Sequence, residues 1–207
     1  AEASRMHIAV LPPDVNESGT DFTVVARRAG ELSAGAPERD GARPSKFSAE
    51  NYASPESGVP SAGNAIRFGL SSIKNFGDGI SEAIIAERKA HGPFTSLSNF
   101  LSRVGSKNLN RKSLESLIKC GALDSLNPSA HKRGTMLENI ERMLAFHREA
   151  TAIAPQESLF GASAVPELIL PEGSKTSLLD KLIWEKELLG IYVSGHPLDA
   201  HEAITKK

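Results

Sequence analysis

The stretch Ile73-Lys74-Asn75-Phe76-Gly77-Asp78-Gly79-Ile80 constrains this chain more than any other. Two glycines one residue apart, followed at once by a helical pattern, predict a helix, a tight turn and a second helix. Glycine at 77 and 79 permits φ > 0 and removes the Cβ that would keep a ligand off the backbone. The turn also opens a helix, whose first N–H groups lack intrahelical partners and attract an anion. Lys74 adds a cation beside them, so phosphate is the anion this layout suits. The competing reading is an ordinary interhelical turn without a ligand.

Charge is unevenly distributed. The 207 residues carry a net charge of -1. Ile66 to Arg133, however, holds eleven Lys/Arg against five Asp/Glu, and the flanking segments are acidic. A basic middle points to a polyanion partner, whereas a solvated helical surface alone would give a smaller excess. Turn and charge together have the layout of a helix-hairpin-helix, which grips a nucleic-acid backbone without reading bases. Cys120 is the only cysteine, which excludes a disulfide framework and suggests a small packed side chain. His7, His91, His131, His147, His196 and His201 show no paired ligand spacing, so no metal site is expected. No apolar run reaches membrane-spanning length and no signal sequence opens the chain, so the expected location is the cytoplasm. From the start at Ala1, without Met, a piece of a larger protein is expected.

The predicted fold class is mainly α, with a short β or extended N-terminal segment and a flexible insertion. Met6–Leu11, before Pro12-Pro13, and Phe22–Val25 are short extended runs. Ala26–Asn64 is rich in Ala, Gly, Ser and Pro and lacks periodicity. From Ile66 a helical character is expected. Helices are predicted over Gly79–His91, after the caps Thr95 and Ser96, from Leu109 or Asn110 to Gly121, over Lys132–Glu149 and over Leu178–Leu189. The last has an apolar stripe of Leu179, Leu182, Ile183 and Leu189. Ala150–Ser174 reads as loop. Hairpins at Phe76–Ile80 and Cys120–Leu123, packed as a pair, would give two phosphate clamps for the two strands of one duplex.

These motifs resemble the alpha subunit of bacterial DNA polymerase III. The resemblance rests on Leu11-Pro12-Pro13-Asp14-Val15-Asn16, on Ile66-Arg67-Phe68-Gly69-Leu70 leading to Gly77-Asp78-Gly79, and on Gly92-Pro93-Phe94 with Leu114–Leu123. It is completed by Glu185-Lys186-Glu187-Leu188-Leu189-Gly190 with Ser194-Gly195-His196-Pro197-Leu198. It implies the end of the fingers region at 1–25, an insertion or linker at 26–64 and a tandem helix-hairpin-helix domain at 65–150. A loop with a clamp-binding motif would follow at 151–175, then a connector toward an OB domain at 176–207. The insertion departs from the family, which passes by a short link from Phe22-Thr23-Val24 to Ile66.

The resemblance implies sequence-independent binding of double-stranded DNA. The candidate contacts are Lys74, Phe76, Gly77, Asp78, Gly79, Ile80, Arg111, Lys112 and Lys119, with Lys107 and Arg133 as weaker candidates. Gln156-Glu157-Ser158-Leu159-Phe160 resembles the peptide by which replicative polymerases bind the sliding clamp, the beta subunit. Leu159 and Phe160 would fill an apolar pocket while Gln156 and Ser158 fix the orientation. Folding of the same Leu and Phe onto the domain is the competing reading. Other replicase subunits are implied partners, and a membrane is not. The parent polymerase would need Mg²⁺ at a cluster of aspartates upstream. This chain has no Asp-x-Asp pair, with Asp14, Asp21, Asp78 and Asp180 in unrelated contexts. No catalytic residue or cofactor is therefore expected here. The alternatives are a hairpin module of a DNA-repair enzyme and a clamp-interaction module with purely structural hairpins.

Overall fold

The computed structural model describes residues 8–26, 64–105, 109–126, 132–153, 167–195 and 197. Residues 27–63 of the predicted insertion, Lys107, the Gln156–Phe160 peptide and His196 lie outside them, whereas Ala26 and Asn64 at its two ends belong to strands. Strand β1 (Ala9–Leu11), β2 (Thr23–Ala26) and β3 (Asn64–Arg67) form a sheet in the order β1-β3-β2. β3 pairs parallel with β1, Val10 facing Ile66, and antiparallel with β2, Val24 facing Ile66. The helical character expected from Ile66 is therefore replaced by a strand. Its pairing with two segments far away in the chain outweighs local preference.

Among the described residues the α-helices are α1 (Asp78–His91), α2 (Leu97–Arg103), α3 (Arg111–Cys120), α4 (Lys132–Glu138), α5 (Ile140–Ile153) and α6 (Leu178–Leu189). Their ends obey local chemistry. Ser96 caps α2 by accepting the Asn99 N–H at 3.1 Å. Asn110 and Ser113 form a reciprocal capping box on α3, as do Ser177 and Asp180 on α6. Gly121 ends α3 in the left-handed region at φ 85°, and its N–H returns to the α3 carbonyls.

The single helix expected at Lys132–Glu149 is two segments. Asn139, at the break, donates its side-chain amide to the Thr135 carbonyl at 2.9 Å and to the Pro171 carbonyl at 3.3 Å. Pro171 belongs to an extended strap that crosses α4. Gly173 and Gly134 permit that crossing, since a Cβ on Gly134 would lie 2.0 Å from the Ser174 carbonyl oxygen.

The core is built around α3, whose Leu114, Leu117, Ile118 and Cys120 are fully buried against Phe100, Leu101, Met136 and Met143. Each such aliphatic side chain contributes roughly 1.5–3 kcal/mol of burial. Burial pushes the Cys120 thiol up to about 12, as expected for a packed rather than reactive cysteine. His147 ties α5 to α2 through Nδ1 and the Leu101 carbonyl, 2.6 Å apart.

Candidate nucleic-acid interface

The segment containing Pro13, Asp14, Val15 and Asn16 is the clasp of the fold. Asp14 Oδ1 accepts the Asn16 N–H at 2.7 Å, which holds the turn. The buried Val15 donates its N–H to the Ala122 carbonyl at 3.0 Å. The Asn16 side chain pairs with the backbone of Phe94, donating to its carbonyl at 2.9 Å and accepting its N–H at 2.7 Å. One short turn thus links the end of α1 to the turn after α3. Burial raises the Asp14 pKa, against the Ser125 side chain and the Asn16 N–H, which favour the carboxylate.

The first hairpin is shorter before its turn than the sequence predicts: a single 3-10 turn, Leu70–Ser72, replaces a helix. Lys74 then donates its backbone N–H to the Leu188 carbonyl at 2.9 Å, which seats the turn on the last turn of α6. The left-handed residue is Asn75, at φ 64°, rather than either glycine. Gly77, the N-cap of α1, has φ -74° and ψ 150°, which any residue adopts, and Gly79 lies inside α1. A Cβ on Gly77 would meet nothing within 4 Å. Neither backbone conformation nor internal packing requires glycine at 77. Its effect is to leave open space in front of the helix N-terminus.

Phe76 and Ile80 are buried, and their N–H groups donate to the Ile73 and Gly77 carbonyls, both at 3.1 Å. They belong to the core rather than to a contact surface, a correction to their predicted role. Lys74, Gly77 and Gly79 are exposed, and Asp78 is the first residue of α1.

The second turn is not an open clamp. Gly121, Ala122 and Leu123 are buried. The N–H groups of Gly121 and Ala122 donate to Ile118 and Leu117, and a Cβ on Gly121 would lie 2.2 Å from Arg133 Nη2. The pair of equal phosphate clamps is therefore corrected to one open turn and one filled turn.

Much of the basic excess is internal. Arg67 is buried against Glu17 and the Pro12 carbonyl. Arg88 donates to the Val15 and Ser18 carbonyls at 2.8 and 2.9 Å. Burial lowers its pKa, with Asp14 and Glu17 opposing. Arg103 holds Glu87 and the Gly92 carbonyl, 4.6 Å from the centroid of Phe94. Arg133 is buried on Asp124 and the Lys119 carbonyl, so it is not the DNA contact that the sequence suggested. Burial alone would lower its pKa, but Asp124 and Glu185 outweigh that and raise it.

Of the remaining predicted cations, Arg111 pairs with Glu141 and sits beside the exposed Lys112 at the start of α3. Lys119 lies about 12 Å further along that helix. It pairs with Glu115 and stands 5.9 Å from the Trp184 ring centroid. Lys119 and Lys74 both flank α6, at Trp184 and Leu188, one helical turn apart. The structure thus groups Lys74 and Lys119 near α6, with Gly77 three residues after Lys74, and leaves Arg111 and Lys112 at the far end of α3.

One organising residue escaped the sequence reading. Glu185 is fully buried on α6 and accepts the N–H groups of Val193 and Ser194, each at 2.8 Å, and the Ser194 hydroxyl. Arg133 Nη1 stands 3.6 Å from it. Helical spacing offered the signal, because 182, 185 and 189 share one face. The predicted stripe is corrected: Leu182, Leu188 and Leu189 are buried, whereas Leu179 and Ile183 are 61% and 53% exposed.

Among the described residues, no group of three or more His, Cys, Asp or Glu stands where it would hold a metal ion. No helix among them is long and apolar enough to cross a membrane.

An open helix N-terminus after a tight turn, set among packed short helices, is the arrangement of a helix-hairpin-helix protein. The family model described as "Helix-hairpin-helix motif" matches residues 7–133. The chain is similar to the DNA polymerase III subunit alpha of Thermus aquaticus, 37% identical over 198 residues, covering 95% of the chain and 13% of that protein. It is similar to that of Deinococcus radiodurans at 33% over 211 residues, covering 99% and 13%. The Aquifex aeolicus protein of the same name is 31% identical over 205 residues, again covering 99% and 13%. The chain belongs to the family of DNA polymerase III alpha subunits, as a fragment spanning about 13% of the length of these relatives.

Proposed function

We propose that this chain grips duplex DNA through its first hairpin, without reading base sequence, as part of a replicative DNA-directed DNA polymerase. The observation that carries this reading is Gly77, an exposed glycine with ordinary dihedrals and nothing within 4 Å of its Cβ position. Such a residue serves close approach from outside the chain, and a phosphate at the start of α1 is the group that the N–H array attracts. Lys74 adds salt-sensitive attraction, with Lys119 behind it. Relatives named as DNA polymerase III alpha subunits support replication as the setting. Polymerisation, its Mg²⁺ and contacts with other replicase subunits would lie with parts of the protein beyond these residues, in the cytoplasm.

The Gln156–Phe160 peptide, outside the described residues, would tether the protein to the sliding clamp. A weak DNA grip joined to a tether raises local concentration, which is a route to processivity without tight DNA binding.

Gly77→Val tests the grip. Its Cβ has free space and the backbone suits a β-branched residue, so the fold is expected to be unchanged by circular dichroism and thermal melting. Duplex binding, followed by fluorescence anisotropy across a salt series, is expected to be lost. Equal binding by both proteins would leave the hairpin as scaffold only.

A further inference from the structure

We propose that Lys186 and Tyr192, at and just after the last turn of α6, extend the grip of the first hairpin along the backbone of the same DNA strand. This rests on the hairpin reading above. The Lys74 N–H to Leu188 carbonyl bond, 2.9 Å long, joins the two surfaces directly. Lys186 and Gly190 are each two residues from Leu188, so their Cα atoms lie within about 8 Å of it. Lys74, Gly77, Lys186, Ile191 and Tyr192 are all exposed.

The chemistry at this edge suits a polyanion. Lys186 Nζ donates to the Gly190 carbonyl at 2.9 Å and stands 5.6 Å from the Tyr192 ring centroid. These contacts hold the ammonium in one place, so less side-chain entropy is lost when it meets a phosphate. Arg103, Arg111 and Lys119 each face a carboxylate, at Glu87, Glu141 and Glu115. Lys186 has no such ion pair among the described residues, although Glu187 is exposed beside it. Tyr192, 37% exposed, brings a ring that can rest on a sugar. A strand held at the start of α1 meets this edge within a short run of phosphates.

The test uses the whole 207-residue chain and a fluorescein-labelled duplex, with anisotropy read across a salt series. Lys186→Gln removes the charge while keeping an N–H donor for the Gly190 carbonyl. It is expected to lower the salt slope by about 0.9 and to weaken binding about 8-fold at 0.1 M salt, the effect of one phosphate contact over one decade. Lys186→Arg is expected to restore the slope. Lys89→Gln, at the end of α1 away from the hairpin, is expected to leave it unchanged. An unaltered slope in Lys186→Gln, with binding lost in Gly77→Val, would overturn the extension and leave the hairpin standing. A lowered slope in Lys186→Gln, with Gly77→Val unaffected, would overturn the hairpin reading and keep a contact at Lys186. No binding by the unmodified chain at low salt would overturn both.

Discussion

Replacing Glu185 by alanine should destabilise the protein severely, although the residue is hidden from solvent. Its carboxylate accepts two backbone N–H groups at 2.8 Å, and Arg133 stands 3.6 Å away. Each orphaned N–H costs about 1 kcal/mol here, the low end of the usual range, because Val193 and Ser194 are only half-buried and water reaches them. Losing one partner of a fully buried ion pair costs roughly 3–5 kcal/mol. Arg133 keeps Asp124 and the Lys119 carbonyl, so about 1–2 kcal/mol is the fitting share. The sum is about 3–4 kcal/mol, a large part of the roughly 5–15 kcal/mol that holds a protein folded. At about 2–4 °C per kcal/mol for a chain of this size, the melting temperature should fall by about 6–16 °C. Thermal and urea denaturation of Glu185→Ala measure this. Glu185→Gln, which retains one acceptor oxygen, should lose less. The Glu185→Ala/Arg133→Met pair should cost less than the two changes summed, because neither charge is then stranded. A loss under about 1 kcal/mol, or strict additivity with Arg133→Met, would refute the reasoning.

Two further outcomes are expected. Burial raises the pKa of Asp14, so the folded state binds its proton more readily than the unfolded state; ionised Asp14 is a cost at neutral pH that is relieved as pH falls through the folded pKa. Asp14→Asn keeps the acceptor for the Asn16 N–H, so it should be at least as stable as the parent at pH 7, with the advantage shrinking at pH 4; a lower urea midpoint than the parent's at pH 7 would contradict this. Replacing Leu159 and Phe160 together by alanine should abolish binding to purified sliding clamp in surface plasmon resonance while leaving the DNA salt slope unchanged, and retained clamp binding would remove the tether from the proposal.

The helix ends were legible because capping is local. Ser96, Asn110 and Ser177 act on residues three positions away, and Gly121 on the helix just before it. No distant part of the chain has to be known for those interactions to be read. The open turn before α1 was legible for the same reason, although the positive φ fell on Asn75 instead of Gly77.

Strand β3 was not legible, because Ile66 becomes a strand only by facing Val10 and Val24 across the sheet. The use of the basic residues was equally hidden. A charge count cannot tell an arginine that holds Val15 and Ser18 in place from a lysine that faces solvent, since only the folded chain brings acceptors to one and withholds them from the other.

The sequence by itself determined the family, most of the helix ends and the exposed glycine turn before α1, through interactions that span a few residues. Tertiary structure decided that the second turn is filled by Arg133, that Glu185 is buried and that Lys74 rests on the end of α6. Each depends on segments far apart in the chain meeting in one place, where burial forces every charge to find a partner.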